Sequence, residues 1–307
     1  MQNRAMDAAL LPPAEMSEAD RRTIAAGTPG IVLMERAARA ASETVRARFP
    51  DARPIDCLAG PGNNGGDAWA LAGMLRRPAT DVRLFHLVPQ EELAGDAAMA
   101  AAGYDGHAGP GNNGGDAVAL GGMLGRPAAD ARLFPLVPQE IASGDAAIAA
   151  AGYDGHAGPL AGFRPQEFDL IIDGLFGAGL ARPLDGEVAA LVNGLNEAKT
   201  PVLAIDLPSG ISGASGAVLG CAIEAAVTVT FVRGKPGHFL EPGRSHRGDL
   251  VIADIGIPDA VLSGISPTTF ANTPALWRHR LALPSEAGHK FDRGHAVVFS
   301  GPASRTG

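Results

Sequence analysis

The chain has 307 residues, a net charge of −8 and 46% hydrophobic residues, so it can bury a sizeable core as one large domain or two smaller ones. The acidic balance argues against nucleic acid as a partner, and no apolar run reaches the about 18 residues of a membrane span. Cys57 and Cys221 form no C-x-x-C pattern and the N-terminus lacks a signal-peptide core, so buried thiols and a cytoplasmic location are expected.

Helices are predicted for most of the first 48 residues. Thr28-Pro29 indicates a helix start, with Pro29 at the first helical position. One apolar face then follows at helical spacing: Met34, Ala37, Ala38, Ala41 and Val45. Residues 54–60 predict a short buried strand that runs into a glycine-rich loop.

Residues 59–107 and 108–156 are near copies, with about 39 of 49 positions identical. A period of about 50 residues raises the possibility of a solenoid or a propeller. Only two units exist, so a tandem duplication of one internal segment fits better. Each copy predicts a glycine loop, a helix (68–77 and 117–126), a strand (82–88 and 131–137) and an alanine-rich helix.

Strands and helices alternate again after residue 156. Strands are predicted at 169–173, 201–206, 225–231 and 249–254, with a helix near 186–198. Near-continuous apolar strands between helices indicate a mostly parallel sheet covered on both faces. The predicted fold is therefore a three-layer α/β fold with a mostly parallel sheet and a duplicated helix–strand–helix segment. In such sheets ligands bind beyond the carboxyl ends of the strands.

The first strand end to carry polar residues is Gly-Pro-Gly-Asn-Asn-Gly-Gly-Asp at 60–67, which recurs at 109–116. Glycines let backbone amides approach a phosphate, and the helix that follows adds a partial positive charge. The sequence matches neither the Gly-x-Gly-x-x-Gly dinucleotide fingerprint nor a P-loop.

Three further strand ends add chemistry: Asp173 with its glycine-rich loop, Asp206 with Ser209, and Lys235 with His238. Asn64, Asp173 and Ser209 offer only oxygen ligands, which suits a hard, low-charge cation better than zinc. Each residue also has an ordinary structural explanation. The carboxylates, Asn64 and Ser209 suit turns and caps, Lys235 suits the surface, and His238 suits packing or capping.

The motifs GPGNNGGD, DGLFGAGLARPLDG, AIDLPSG, TVTFVRGKPGH and VIADIGIP occur in this order over about residues 30–260. In this respect the chain resembles the NAD(P)H-hydrate epimerase domain, the N-terminal half of bacterial bifunctional nicotinamide-nucleotide repair enzymes. The resemblance implies a Rossmann-like fold, usually a homodimer, and a bound potassium ion.

By position, the resemblance implies that potassium binds Asn64, Asp173 and Ser209. It also implies that the hydrated nucleotide contacts two loops and a carboxylate: Asn63, Asn64, Gly65, Gly66, Asp67, Gly177, Ala178, Gly179, Leu180, Ala181, Arg182, Pro183 and Asp206. The implied reaction interconverts the R and S forms of hydrated NADH and NADPH. Because this breaks and remakes the C6 carbon–oxygen bond, Asp206 is the expected acid/base group, with Lys235 as a helper.

Most of the chain and its C-terminal end resemble two different domains. Residues 1–275 are predicted to be the epimerase domain, whereas residues 283–307 resemble the opening strand of an ADP/ATP-dependent hydrate dehydratase. About 20 residues cannot build a nucleotide site, so no dehydratase activity is expected.

Only one loop copy can occupy the site, and the first is expected to do so. Copy 1 follows the strand at 54–59, whereas copy 2 follows a predicted turn at 103–108 and has Pro135 within its strand. Both copies place alanine, Ala68 and Ala117, where the family usually has glycine. A requirement for positive φ at that position would therefore lower activity.

Two rival functions remain at this point. The duplication and truncation are also compatible with an inactive nucleotide-binding remnant. An ordinary nicotinamide-dependent dehydrogenase is disfavoured because the dinucleotide fingerprint is absent.

Overall fold

The computed structural model describes residues 6–60, 62–75, 163–281, 288–289, 291 and 294–301, and the backbone alone of 82–86 and 156–159. The loop Asn112–Asp116 and the elements predicted at 117–126 and 131–137 lie outside the described residues. Residues 9–269 form one compact unit, and residues 1–8 with 270–307 form a second.

Strands and helices alternate through most of the described residues. The strands are β1 (Ala9–Leu10), β2 (Ile55–Ala59), β3 (Val82–His86), β4 (His156–Pro159), β5 (Leu170–Gly174), β6 (Val202–Ile205), β7 (Val227–Phe231), β8 (Asp249–Ala253) and β9 (Thr269–Phe270). The helices are α1 (Pro13–Ala25), α2 (Gly30–Arg48), α3 (Asn63–Leu75), α4 (Gly186–Ala198), α5 (Gly243–His246), α6 (Asp259–Ile265) and α7 (Pro274–Trp277). Short 3-10 turns lie at Pro165–Glu167, Pro236–His238 and Arg278–Arg280.

Seven of the described strands form one parallel sheet in the order β4-β3-β2-β5-β6-β7-β8. This confirms the α/β fold with a mostly parallel sheet. The strand order reverses between β2 and β5, where Leu58 pairs in register with Asp173. A reversal of this kind opens a crevice at the carboxyl ends of the strands, which is where ligands bind in this architecture.

The middle of the sheet is the core, because every residue of β2, β5, β6 and β7 is buried. The predicted apolar face of α2 packs inward as expected, and all five of its residues are buried. The helix begins one residue later than predicted, at Gly30, because Pro29 has an extended ψ of 143°. Strand β4 was not predicted, since its sequence His-Ala-Gly-Pro lacks an apolar run.

The Asn-Asn-Gly-Gly-Asp segment is helical, which corrects the predicted loop. Helix α3 begins at Asn63, so the motif forms its first turn rather than preceding it. A Cβ on Gly65 would lie 1.8 Å from the carbonyl oxygen of Gly60, so only glycine lets the helix start this close to the strand end. Glycine disfavours helices in isolation, and the sequence therefore predicted a loop.

The second unit contains α7, where Trp277 Nε1 donates to Asn272 Oδ1 at 2.9 Å. The domain boundaries at 275 and 283 stay a prediction. Among the helices of the described residues, none has the combined length and apolar character that crossing a bilayer requires.

Candidate active site

The polar residues singled out in the sequence lie at one edge of the sheet. Asn64 stands in the first turn of α3, and Asp173 is the next-to-last residue of β5. Asp206 and Ser209 follow β6, and Lys235 follows β7. Parallel strands bring their carboxyl ends to the same edge, so residues more than 100 positions apart become neighbours.

Asp173 and Ser209 form the first of two carboxylate centres. Ser209 donates its hydroxyl to Asp173 Oδ1 at 2.6 Å and its backbone amide to Oδ2 at 2.8 Å, and the Leu175 amide donates to Oδ1 at 3.2 Å. The side chains of Asp173 and Ser209 are fully buried. Burial raises the pKa of Asp173 to about 6, although these hydrogen bonds oppose the increase.

Asn64 lies beside this centre. Its backbone oxygen is 2.9 Å from the position that a Cβ on Gly174 would take, and its side-chain Oδ1 is 3.2 Å from a Cβ on Gly177. The buried Nδ2 of Asn64 has no hydrogen-bond partner. A buried polar group of this kind normally has a partner. Within the described residues, this amide end therefore has unused hydrogen-bonding capacity.

Asp206 and Lys235 form the second carboxylate centre. Lys235 Nζ donates to Asp206 Oδ1 at 2.6 Å, to Thr230 Oγ1 at 2.8 Å and to the Phe231 carbonyl at 3.4 Å, which uses all three of its hydrogens. Thr230 donates to Asp206 Oδ1 at 3.0 Å, and the Ala178 amide donates to Oδ2 at 3.1 Å. Burial would raise the pKa of Asp206, but the charge and hydrogen bond of Lys235 outweigh it and the pKa of Asp206 is lowered.

A tight turn at Asp206 directs this carboxylate. Asp206 has a φ of 64°, in the left-handed region that non-glycine residues rarely adopt, and the Leu207 amide bonds the Ile205 carbonyl across it at 2.8 Å. The next strand ends in the same way, with a φ of 66° at Val232. Strained turns of this type collect at functional sites.

His238 joins the turn to the lysine loop. Its Nε2 lies 2.7 Å from the Asp206 carbonyl oxygen, and its Nδ1 accepts a hydrogen bond from the Lys235 amide at 2.9 Å. The imidazole is completely buried.

Two further carboxyl groups respond to the charges of this centre. Burial raises the pKa of Asp67 well above its ordinary value, and the negative charges of Asp206 and Asp20 raise it further. Burial also raises the pKa of Asp20, a residue of α1, to about 6. The positive charge of Lys235 opposes both increases in pKa. The ionisation states of four groups therefore depend on one another: Asp20, Asp67, Asp206 and Lys235.

The two nucleotide loops predicted from the sequence flank these centres. In the α3 turn, Gly65 and Gly66 are buried, Asp67 is half-buried and Asn63 is exposed. In the other loop, Ala178 contacts Asp206 through its amide and Leu180 donates its amide to Gly177 at 3.2 Å. Four residues of that loop are exposed at its rim: Gly179, Ala181, Arg182 and Pro183.

The first loop copy is the one that the described residues place at this edge, whereas residues 112–116 lie outside them. Ala68 is buried inside α3 and has no positive φ, so the concern that this position needs glycine is removed. Sequence reasoning missed Thr230 and Asp20. Thr230 reads as an ordinary strand residue, and a single helical aspartate such as Asp20 gives no signal of its own.

Comparison with known proteins identifies the family of the chain. The chain matches the family described as YjeF-related protein N-terminus over residues 30–105 and 107–237. It is 31% identical to the NAD(P)H-hydrate epimerase of Limosilactobacillus fermentum, over 78% of this chain and 94% of that protein. It is 34% identical to the NAD(P)H-hydrate epimerase of Achromobacter xylosoxidans, over 80% of this chain and 94% of that protein.

A longer relative and a solved structure complete the comparison. The bifunctional NAD(P)H-hydrate repair enzyme Nnr of Moorella thermoacetica is 31% identical over 97% of this chain, which spans 50% of that enzyme. The crystal structure of yeast ynu0, YNL200c, superposes with a TM-score of 0.57 at 16% identity over 86% of this chain and 96% of that one. That structure supports the fold, and the sequence matches show that the chain belongs to the YjeF-related protein N-terminus family.

Proposed function

We propose that this chain is an isomerase, an NAD(P)H-hydrate epimerase that interconverts the R and S forms of hydrated NADH and NADPH. The observation that carries the proposal is the Asp206–Lys235 ion pair at a strand end, whose lysine is buried, beside the glycine-rich turn of α3. Relatives named as epimerases align over most of the chain. They favour an active enzyme over the inactive remnant that the duplication suggested.

The reaction needs a proton for the departing C6 hydroxyl and a negative group beside the cationic ring that remains. Lys235 lowers the pKa of Asp206, so Asp206 is a carboxylate at neutral pH. We assign it to stabilising the cationic ring and to taking the proton from the water that returns. Lys235 holds that carboxylate in its ionised form and in place.

Asp67 is the group that we assign to donating the proton. Burial and the charges of Asp206 and Asp20 raise its pKa well above the ordinary value, which favours the protonated form that a general acid needs. Two carboxyl groups whose pKa values move in opposite directions are the usual division between acid and base in an enzyme. Exchange with solvent then resets both groups.

Potassium fits the Asp173 centre. Among the described residues no basic side chain forms an ion pair with Asp173, so its charge is buried without compensation. The neighbouring Asn64 amide has an unpartnered buried end, and amide oxygen and nitrogen exchange by a simple rotation. We propose that Asn64, Asp173 and Ser209 hold the ion. When bound there, potassium would supply the positive charge that compensates Asp173 and helps to hold the anionic nucleotide.

The function is tested with the purified R epimer of hydrated NADH in the presence of potassium. Chromatography follows the appearance of the S epimer, and the expected rate is well above the spontaneous rate. A rate equal to the spontaneous one would support the inactive remnant instead. Hydride transfer to an acceptor would support a dehydrogenase.

The cation proposal has a separate test in the melting temperature. We expect a higher melting temperature in potassium chloride than in choline chloride at equal ionic strength, because a ligand of the folded state stabilises it. Ser209→Ala should abolish this difference, whereas Ser215→Ala, at an exposed serine, should keep it. Equal melting temperatures of the wild type in both salts would contradict the proposal.

The use of the first loop copy is tested by a matched pair of variants. Asn64→Ala and Asn113→Ala change the same position of the two copies. We expect only Asn64→Ala to lower epimerase turnover, and the opposite result would assign the site to the second copy. Deletion of residues 108–156 joins His107 to Ala157, as His156 is joined now, and should leave an active enzyme.

The remaining properties implied by the resemblance are also proposals. We expect a homodimer, which light scattering during size-exclusion chromatography measures, and a cytoplasmic location. We expect no ADP- or ATP-dependent dehydration of the S epimer, and formation of NADH in that assay would contradict this expectation.

A further inference from the structure

His238 stands between Asp206 and Lys235, the two residues of the second carboxylate centre, yet it contacts both through their backbones. Its Nδ1 is 2.9 Å from the Lys235 amide nitrogen, and its Nε2 is 2.7 Å from the Asp206 carbonyl oxygen. The two bonds leave neither ring nitrogen free for substrate. Complete burial also separates the ring from solvent.

The two partners determine the tautomer of the ring. A backbone amide can only donate, so Nδ1 is unprotonated. A backbone carbonyl can only accept, so Nε2 carries the hydrogen. Burial and the charge of Lys235 lower the pKa of His238 to about 4, which agrees with a neutral ring at pH 7. The negative charge of Asp206 opposes this decrease, whereas the charge of Arg247, whose Nε donates to the His238 carbonyl at 2.7 Å, adds to it.

The hydrogen bond from His238 to Asp206 is made to a strained segment of the backbone. The carbonyl that His238 binds belongs to the residue with a φ of 64°, inside the three-residue turn closed by the Leu207 amide. A residue in this conformation persists only where its surroundings hold it. Relaxation of the turn would move the Asp206 carboxylate away from Lys235 and from the Ala178 amide, both of which it now contacts.

We propose that His238 is a positioning residue of the epimerase, whose neutral imidazole ties the strained Asp206 turn to the Lys235 loop and so keeps carboxylate and ammonium in contact. The inference rests on the proposed function for its effect on turnover. The two hydrogen bonds that link His238 to Asp206 and Lys235 do not depend on that function.

A simpler role for the ring would be to cap the 3-10 turn Pro236–His238 through the Lys235 amide. Two conservative variants separate the roles because each keeps one end of the link. The Asn amide reaches about as far as Nδ1, so His238→Asn keeps the cap and loses the bond to Asp206. The longer Gln amide reaches about as far as Nε2, so His238→Gln keeps the bond to Asp206 and loses the cap.

The experiment measures kcat and KM for conversion of the R epimer by the wild type and both variants. We expect His238→Asn to lose at least about tenfold in kcat with little change in KM, since small misplacements of reacting groups are costly. His238→Gln should retain more kcat than His238→Asn, even if its melting temperature is the lower of the two. Wild-type kcat in His238→Asn, or a higher kcat in His238→Asn than in His238→Gln, would overturn the proposal.

A second measurement does not depend on activity. In nitrogen-15 NMR at pH 7, the imidazole signals that are present in the wild type and absent from His238→Gln should show hydrogen on Nε2 and none on Nδ1. A doubly protonated ring, or hydrogen on Nδ1, in the signals assigned to His238 in this way would overturn the link. If the wild type fails to convert the epimer while the NMR signal is present, the proposed function fails and the link stands.

Discussion

Asp173 and Asp206 stand at the ends of neighbouring strands, β5 and β6, and their surroundings are opposite. Within the described part of the chain, Asp173 is held by neutral donors, the Ser209 hydroxyl and two backbone amides. Asp206 is held by the ammonium of Lys235 together with Thr230 and one amide. Burial raises the pKa of Asp173 to about 6, whereas Lys235 brings the pKa of Asp206 below its ordinary value.

The difference shows how one sheet edge provides two kinds of chemistry. A buried carboxylate that has no cationic partner carries an uncompensated negative charge, which suits an added metal ion. A carboxylate that already has its cation remains ionised at neutral pH and can act on a substrate. Substitutions at Asp206, Lys235, His238 and Gly177 test this comparison.

The largest effect is expected for Asp206→Asn, which removes the charge and keeps the size. We expect kcat for epimer conversion to fall by about a thousandfold, in the range of acid–base catalysis, while the affinity for the nucleotide changes little. Asp173→Asn should instead weaken the response to potassium. Near-normal turnover in Asp206→Asn would remove the assignment of this residue.

Lys235→Met should make the second centre resemble the first. The side chain of Lys235 is 2% exposed and that of Asp206 is 18% exposed, so removal of the cation leaves a mostly buried carboxylate unpaired. We expect the free energy of unfolding to fall by about 3 kcal/mol, as measured by urea denaturation. The double variant Asp206→Asn/Lys235→Met should recover part of this loss, and strictly additive losses would argue against coupling.

The pH dependence of stability tests the neutral state of His238. The pKa of the buried ring is lowered from 6.5 to about 4, so between these values the unfolded chain binds more protons than the folded one. The free energy of unfolding should therefore rise with pH across this window by at most about 1.4 kcal/mol per pH unit. The contribution of His238 should be complete above pH 6.5.

The measurement compares wild type and His238→Gln by urea denaturation from pH 4 to 7. The glutamine variant should lose the contribution of one titrating group. Its free energy of unfolding should therefore rise less steeply with pH than that of the wild type. Asp173 and Asp20, each with a pKa raised to about 6, act in the opposite direction. They stabilise below pH 3.8 and lose this effect as the pH rises through 6, but they remain in both proteins. Parallel slopes would contradict a neutral buried His238.

The smallest effect is expected at the glycine between the two centres. A Cβ on Gly177 would lie 3.2 Å from Asn64 Oδ1 and from Asp206 Oδ2, whereas a Cβ on Gly179 would meet nothing within 4 Å. Neither glycine has a positive φ, so alanine strains neither backbone. Gly177→Ala should raise KM by about fivefold through the crowded contact, and Gly179→Ala should leave it unchanged. Equal KM values would mean that the two centres do not share this space.

Much of the fold was predictable because apolar runs and helical spacing reflect burial directly. The strands at 55–59 and 227–231, the helix at 186–198 and the inward face of α2 lie within a few residues of their predicted positions. The start of α3 was not predictable, since glycines that disfavour a helix are required by a close approach to Gly60. Only the folded chain contains that contact.

The placement of these side chains at strand ends follows from the sequence alone, because each lies at or soon after the end of an apolar run. Which of them become partners depends on the tertiary structure. Asp173 and Ser209 are 36 residues apart, and the Asp206 carbonyl and His238 are 32 apart, so the strand order and register of the sheet set these distances. The same packing places a hydroxyl beside Asp173 and an ammonium beside Asp206. Two residues of the same type therefore have different surroundings and different proposed roles.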